Sequence, residues 1–174
     1  PYAGTWDQDK FFPKEPLKKA ASLGFGGILV DSQFGGSELT RLDSSVIYQS
    51  LARGCVSTTA YLSIHNMCAS ILNKYGTEEQ KNNYLLQMCE MNLFSSYCLT
   101  EPSSGSDAGS LLSNARKNGD DWILNGTKAF ISGGGTSDLY FVMARTTEGI
   151  TCFIVPKDNK GLSFGSQENK LGWN

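Results

Sequence analysis

The chain has 174 residues, 40% of them hydrophobic and 18% charged, with 15 basic against 17 acidic side chains and a net charge of −2. That mixed balance argues against a nucleic-acid partner, whose phosphates demand a basic face. No apolar run approaches the ~20 residues of a membrane span, and the length suits one or two domains.

Residues 1 to about 92 read as helices. The opening Pro1-Tyr2-Ala3-Gly4-Thr5-Trp6 has no basic or hydrophobic leader, so a targeting peptide is expected to have been removed or never to have existed. Pro16 begins a helical stretch that ends at Leu23-Gly24, with the glycine placed as a stop. A glycine-bearing loop over 31–37 follows. Leu42, Val46, Ile47 and Leu51 recur at helical spacing before Gly54. Tyr61, Ile64, His65, Cys68 and Leu72 mark a third helix closed by Gly76, and Thr77 with Gln80 forms a capping box for a fourth, through about Cys89.

From Leu93 onward the grammar changes. Short β-type runs cover 94–100, 111–117, 122–124, 129–132, 139–145 and 150–155, with 162–164 as a further candidate. Turn sequences such as Asn118-Gly119-Asp120, Asn125-Gly126 and Gly133-Gly134-Gly135 separate them. This half reads as an antiparallel sheet or barrel, and the lack of βαβ alternation disfavours a dinucleotide-binding doubly wound fold.

The chain offers few ligands for metal or triad chemistry. Its five cysteines are widely spaced and odd in number, which reads as buried reduced thiols in a reducing compartment. A single histidine, His65, argues against a zinc site and a Ser-His-Asp triad, and a lone helical histidine is more often packed than catalytic. Gly24-x-Gly26-Gly27 follows a helix and lacks a third glycine, so it reads as a turn. Asn125-Gly126-Thr127 is a glycosylation sequon, but a hairpin turn fits it better.

Two segments carry more. In Tyr97-Cys98-Leu99-Thr100-Glu101-Pro102-Ser103-Ser104-Gly105-Ser106-Asp107 a β-type run stops at a proline and enters a loop of small and hydroxyl residues. Such a loop lets backbone N–H groups crowd an anion, although a plain strand-to-loop turn uses the same residues. In Asn125-Gly126-Thr127-Lys128-Ala129-Phe130-Ile131-Ser132-Gly133 an aromatic, an aliphatic and a hydroxyl residue precede a glycine run. A planar redox ring needs an apolar face and hydrogen bonds at its nitrogens, which Phe130 and Ser132 could supply. Taken alone, Phe130 reads equally as strand core.

Together the two segments resemble the paired motifs of the acyl-CoA dehydrogenase family. The resemblance extends through Leu23-Gly24, Gly35-Gly36, Ser63-Ile64-His65-Asn66, the run from Tyr75 to Lys81, and Leu171-Gly172-Trp173-Asn174. Gly54-Cys55, Ser57 to Tyr61 and Ser63 to Cys68 are similar to members that act on a short branched-chain acyl-CoA in valine breakdown. The resemblance implies an α+β chain: an all-helical N-terminal domain over 1–92, then an antiparallel β-barrel or sheet domain over 93–174, ending before a C-terminal helical bundle.

The resemblance also implies FAD as cofactor and an acyl-CoA substrate. Tyr97, Cys98, Leu99, Thr100, Gly105, Ser106, Phe130, Ile131 and Ser132 would contact the flavin, and Ser106 and Tyr97 the substrate. Leu99 and Thr100 would meet the isoalloxazine, Gly105 and Ser106 the pyrophosphate. Phe130 would stack on the ring, with Ser132 near its hydride-accepting nitrogen. The implied reaction takes an α-proton to a glutamate and a β-hydride to the flavin, giving a 2,3-enoyl-CoA. Electron-transfer flavoprotein is then the acceptor, with a homotetramer in the mitochondrial matrix as the setting. The base would lie beyond Asn174, with Glu101 a structural residue, so the chain is expected to be inactive alone. An acyl-CoA oxidase on the same scaffold and a non-catalytic CoA- or partner-binding fragment stay open as alternatives. Ser103 and Gly109 depart from the glycine and alanine of many relatives. A positive φ at 103 would put strain on the serine.

Overall fold

The computed structural model describes residues 2–173. Five helices come first: α1 (Ala3–Gln8), α2 (Lys14–Ala21), α3 (Arg41–Ala52), α4 (Val56–Tyr75) and α5 (Glu78–Cys89). Five strands follow: β1 (Ser95–Cys98), β2 (Asn114–Asn118), β3 (Asp121–Asn125), β4 (Leu139–Thr146) and β5 (Gly149–Pro156). Among the described residues no helix is long and apolar enough to cross a membrane.

Local chemistry sets the helix ends. Thr77 and Gln80 exchange side-chain and backbone bonds at the start of α5, as their spacing predicts, and Thr40 with Asp43 does the same for α3. Gly24 adopts φ +86° beyond α2, and Gly26 and Gly27 form a tight turn. A Cβ on Gly26 would stand 2.0 Å from the Cys89 carbonyl oxygen, so this glycine cluster serves close packing against α5. α3 forms where its period predicts, but Leu42 and Val46 face outward while Tyr48 and Leu51 pack inward.

α4 is the axis of the molecule. One side of it, with α2 and Phe94, builds a cluster of Leu17, Tyr61, Leu62 and Met91; another packs Cys68, Ala69 and Leu72 against Leu85, Met88, Leu139 and Phe141. Burial of such side chains contributes on the order of 2 kcal/mol each. Polar groups on α4 are also satisfied. Asn66 accepts from Ile28 N–H at 2.7 Å and donates to the carbonyls of Phe25 and Leu62, pinning the glycine turn.

The sheet is mixed, where the turn-rich sequence suggests an antiparallel one. β4 is its centre: β5 runs antiparallel along one edge, while β1 and then β2 lie parallel to it along the other, and β3 hairpins onto β2. The hairpins are antiparallel as their turns dictate. The parallel pairings join strands distant in sequence, and no local signal encodes them. Alternation along β4 splits its faces. Leu139 and Phe141 enter the helical core, whereas Tyr140, Val142 and Ala144 face a cleft. Two expected strands are absent: 129–132 and 162–164 are irregular. Phe130 takes φ +55°, which breaks an extended run.

Candidate active site

The cleft on the second face of the sheet has a volume of about 1230 Å³. Ile64 of α4, Cys98 of β1, Val142 of β4 and the 128–134 segment contribute to its walls, as do Trp6 and Phe11 at the N-terminal end of the chain. The two motifs read from the sequence meet at this cleft. Ala129 N–H donates to the Thr100 carbonyl at 2.8 Å. The Lys128 ammonium donates to the Leu99 carbonyl at 2.9 Å and to Glu101 Oε1 at 2.8 Å. A residue carrying both a backbone bond and a buried charge contact fixes register more tightly than apolar packing alone.

Glu101 is the electrostatic centre of this join. Its carboxylate is 5% exposed and also accepts the backbone N–H groups of Leu112 (2.6 Å) and Ser113 (2.9 Å). Burial pushes its pKa up, but the Lys128 ammonium and the Leu112 and Ser113 donors outweigh it and hold the pKa at about 2. A buried carboxylate with three donors on it and a pKa held so low is a weak base, which fits the structural role expected of it. Glu101 and Ser104 also pair through their backbones, and Arg145 donates to the Gly109 carbonyl at 2.6 Å. The loop after Thr100 is thereby braced at both ends. Ser103 has no positive φ and is unstrained, and a Cβ on Gly109 would meet only Asp107 Oδ1 at 3.7 Å.

The structure separates the sequence-derived residues into three groups. Cys98, Phe130, Ile131 and Ser132 line the cleft. Leu99 and Thr100 are joined to that wall through their carbonyls. Tyr97 points to the opposite face and packs against the helical core, while Gly105 and Ser106 are exposed on the loop beyond and do not line the cleft. Phe130 is 71% exposed despite its size and holds φ +55°. An exposed aromatic in that backbone region is costly, and such strain clusters at functional sites. With the apolar walls beside it, its bare ring face fits a planar aromatic ligand. No Cβ neighbour stands within 4 Å of Gly105, which leaves its backbone open to approach by an anion.

His65 lies elsewhere. It is fully buried; its Nδ1 accepts Ser95 N–H at 3.1 Å, so its Nε2–H donates to the Met88 carbonyl at 2.9 Å. Burial lowers its pKa to about 4, against the opposing pull of Met88. It is a neutral tie between α4, α5 and β1. Sequence reasoning gave Lys128 no role, although a lone lysine two residues before Phe130, opposite a buried-type glutamate, is a readable signal. It also missed Ser96, Tyr61 and Ser137, whose hydroxyls meet beneath the 130–133 segment.

Comparison with known proteins gives the frame for this geometry. Residues 1–92 match the family described as acyl-CoA dehydrogenase, N-terminal domain, and residues 96–174 match acyl-CoA dehydrogenase, middle domain. The chain is 56% identical to the mitochondrial isobutyryl-CoA dehydrogenase of Dictyostelium discoideum and 53% identical to that of Bos taurus, in each case over 100% of this chain and 43% of the relative. The chain thus spans less than half the length of these relatives. A glutaryl-CoA dehydrogenase from Mycobacterium smegmatis, solved in complex with FADH2, superposes with a TM-score of 0.94 at 30% identity, over 99% of this chain and 45% of that one. With both halves matched in order and the fold superposed throughout, the chain belongs to the acyl-CoA dehydrogenase family.

Proposed function

We propose that these residues form the helical and middle portions of an FAD-dependent acyl-CoA dehydrogenase that introduces a 2,3 double bond into a short branched acyl-CoA resembling isobutyryl-CoA. One observation carries the reading: an exposed, conformationally strained Phe130 on the wall of an apolar cleft, locked to the 99–101 segment by Lys128 and Ala129. The identity to the two isobutyryl-CoA dehydrogenases supports the acyl group, and their mitochondrial designation supports the matrix as location. The M. smegmatis structure with FADH2 supports the cofactor.

In this reading the chain divides at about residue 92, and its residues bind and orient. Phe130 stacks on the flavin ring, flanked by Cys98 and Ile131, and Ser132 bonds at its polar edge. Leu99 and Thr100 meet the ring from the other segment. Gly105 and Ser106 offer donors to the pyrophosphate, and Ser106 borders the CoA thioester; Tyr97, turned into the helical core, is given no substrate contact. When bound, FAD supplies the two-electron acceptor for the β-hydride. The apolar walls exclude water from the α-carbon, which strengthens any charge interaction made there. We assign no base to these residues, since Glu101 is tied to Lys128 and two backbone donors and held at a low pKa. Electron-transfer flavoprotein as acceptor and a tetrameric full-length enzyme belong to the same proposal.

The test is spectroscopic. Full-length protein should purify yellow and be bleached faster by isobutyryl-CoA than by long straight-chain thioesters under anaerobic conditions. Colourless, folded protein would overturn the cofactor. A reversed order of thioesters would overturn the acyl group, and rapid recolouring by dioxygen without a protein acceptor would favour an oxidase. Thr100→Ala and Ser106→Ala should each weaken FAD retention by about 1–3 kcal/mol.

A further inference from the structure

The turn just after Phe130 is held from below by side chains of α4 (Tyr61) and β1 (Ser96) and by Ser137 at its own far end. Gly133 has φ +79°, and a Cβ there would stand 2.5 Å from Ser137 Oγ, 2.6 Å from Tyr61 Cε2 and 2.8 Å from Ser96 Oγ. Only glycine lets the backbone come this close. The same three side chains are hydrogen-bonded. Ser96 Oγ lies 2.6 Å from the Ser132 carbonyl oxygen and 2.8 Å from Ser137 Oγ, and the Tyr61 hydroxyl lies 2.7 Å from Ser137 Oγ.

A carbonyl only accepts, so Ser96 donates to the Ser132 oxygen. Ser137 Oγ bridges the Ser96 and Tyr61 hydroxyls. The Tyr61 hydroxyl also lies 3.1 Å from the Ser95 carbonyl, a second anchor on β1. Tyr61 is 4% exposed and Ser96 and Ser137 are fully buried, so water is a poor substitute for any member. Phe12 meets the Tyr61 ring edge-on at 4.5 Å between centroids, which fixes where the chain begins.

Phe130 lies two residues before the anchored carbonyl and is largely exposed, so its own contacts do not hold its left-handed backbone. We propose that Tyr61, Ser137 and Ser96 act as a linked hydroxyl chain that anchors the Ser132 carbonyl and thereby sets the orientation of the 130–132 platform toward the flavin. They are positioning residues, reaching the ring only through Ser132 and Phe130. This rests on the flavin reading above. It adds that α4, at the heart of the helical half, controls the geometry of the cofactor face through a single phenol.

The experiment uses full-length wild type, Tyr61→Phe, which keeps the ring, and Ser137→Ala, which removes the middle hydroxyl. Amide hydrogen exchange of residues 131–137 is read on FAD-free protein, and FAD affinity and the visible circular dichroism of the bound flavin on loaded protein. Each variant should exchange about fivefold faster in that segment, bind FAD about fivefold more weakly and show an altered flavin dichroism. Unchanged exchange would overturn the chain. Faster exchange with wild-type affinity and dichroism would overturn the positioning role. A wild type that takes up no FAD would sink the flavin reading and the positioning role with it, while its exchange data would still report whether the hydroxyls lock the loop.

Discussion

Two of the buried polar ties in this molecule, at His65 and at Glu101, work in opposite ways. His65 joins α4, α5 and β1 as a neutral ring, with both nitrogens satisfied by backbone partners. Glu101 joins the two motif segments as an anion, matched by Lys128 and two backbone donors. The first lies deep in the helical core and the second at the rim of the cleft. A neutral tie tolerates full desolvation. A charged tie supplies a firmer and more directional clamp, at the risk of a stranded charge when either partner is lost.

The largest expected effect follows from that risk. Lys128→Met strands the Glu101 carboxylate and should cost about 3–5 kcal/mol in denaturant unfolding. Adding Glu101→Gln should recover part of the loss. If the single substitution costs under about 1 kcal/mol, the clamp is not electrostatic and the contrast with His65 fails.

Acid separates the two ties by window. The His65 pKa is lowered by folding, so below its unfolded value of 6.5 only the unfolded chain takes up the proton; stability should fall between pH 6.5 and about 4, by up to about 3 kcal/mol. Glu101 is likewise lowered, from 4.5 to about 2, so its contribution should be lost only below pH 4.5. His65→Gln, whose amide can serve both backbone partners, should flatten the upper window and leave the lower one. A pH profile of unfolding free energy reads both, and an unchanged upper window in that variant would remove His65 as its cause.

The smallest effect on stability should come from Phe130→Gly. Relief of the left-handed strain and the added chain entropy of glycine are each on the order of 1 kcal/mol and opposed, so the unfolding midpoint should barely move. FAD retention should nevertheless drop. A large loss of stability would mean that Phe130 is core, the other reading its sequence allowed.

Four of the five helices, α2 to α5, were legible because their information is local; α1, six residues with no side-chain cap, carried no such signal. Thr77 with Gln80, the apolar period of α4 and the stop at Gly24 all act within a few residues. The β-hairpins were legible for the same reason. The parallel seating of β1 and β2 beside β4 was not, since no short-range pattern specifies which distant strand becomes a neighbour. The 129–132 run was misread because its composition favours extension while its backbone turns at Phe130 to reach Thr100 and Ser96. The two motifs of the candidate site were visible through a family resemblance. Their joining through Lys128, and the hydroxyls of Tyr61, Ser96 and Ser137, depend on contacts between residues far apart in the chain.

The central placement of β4 has a consequence for synthesis. β1 emerges from the ribosome with the edge that will meet β4 open and waits for the residues between Cys98 and Leu139 before its neighbour exists. At 5–20 residues per second that interval lasts roughly several seconds. Throughout it, the nascent chain displays a bare strand edge whose only fastening is to the helices already made. A chaperone that shields such edges would find its substrate in this interval, and slowing translation downstream of β1 should raise the fraction lost to aggregation.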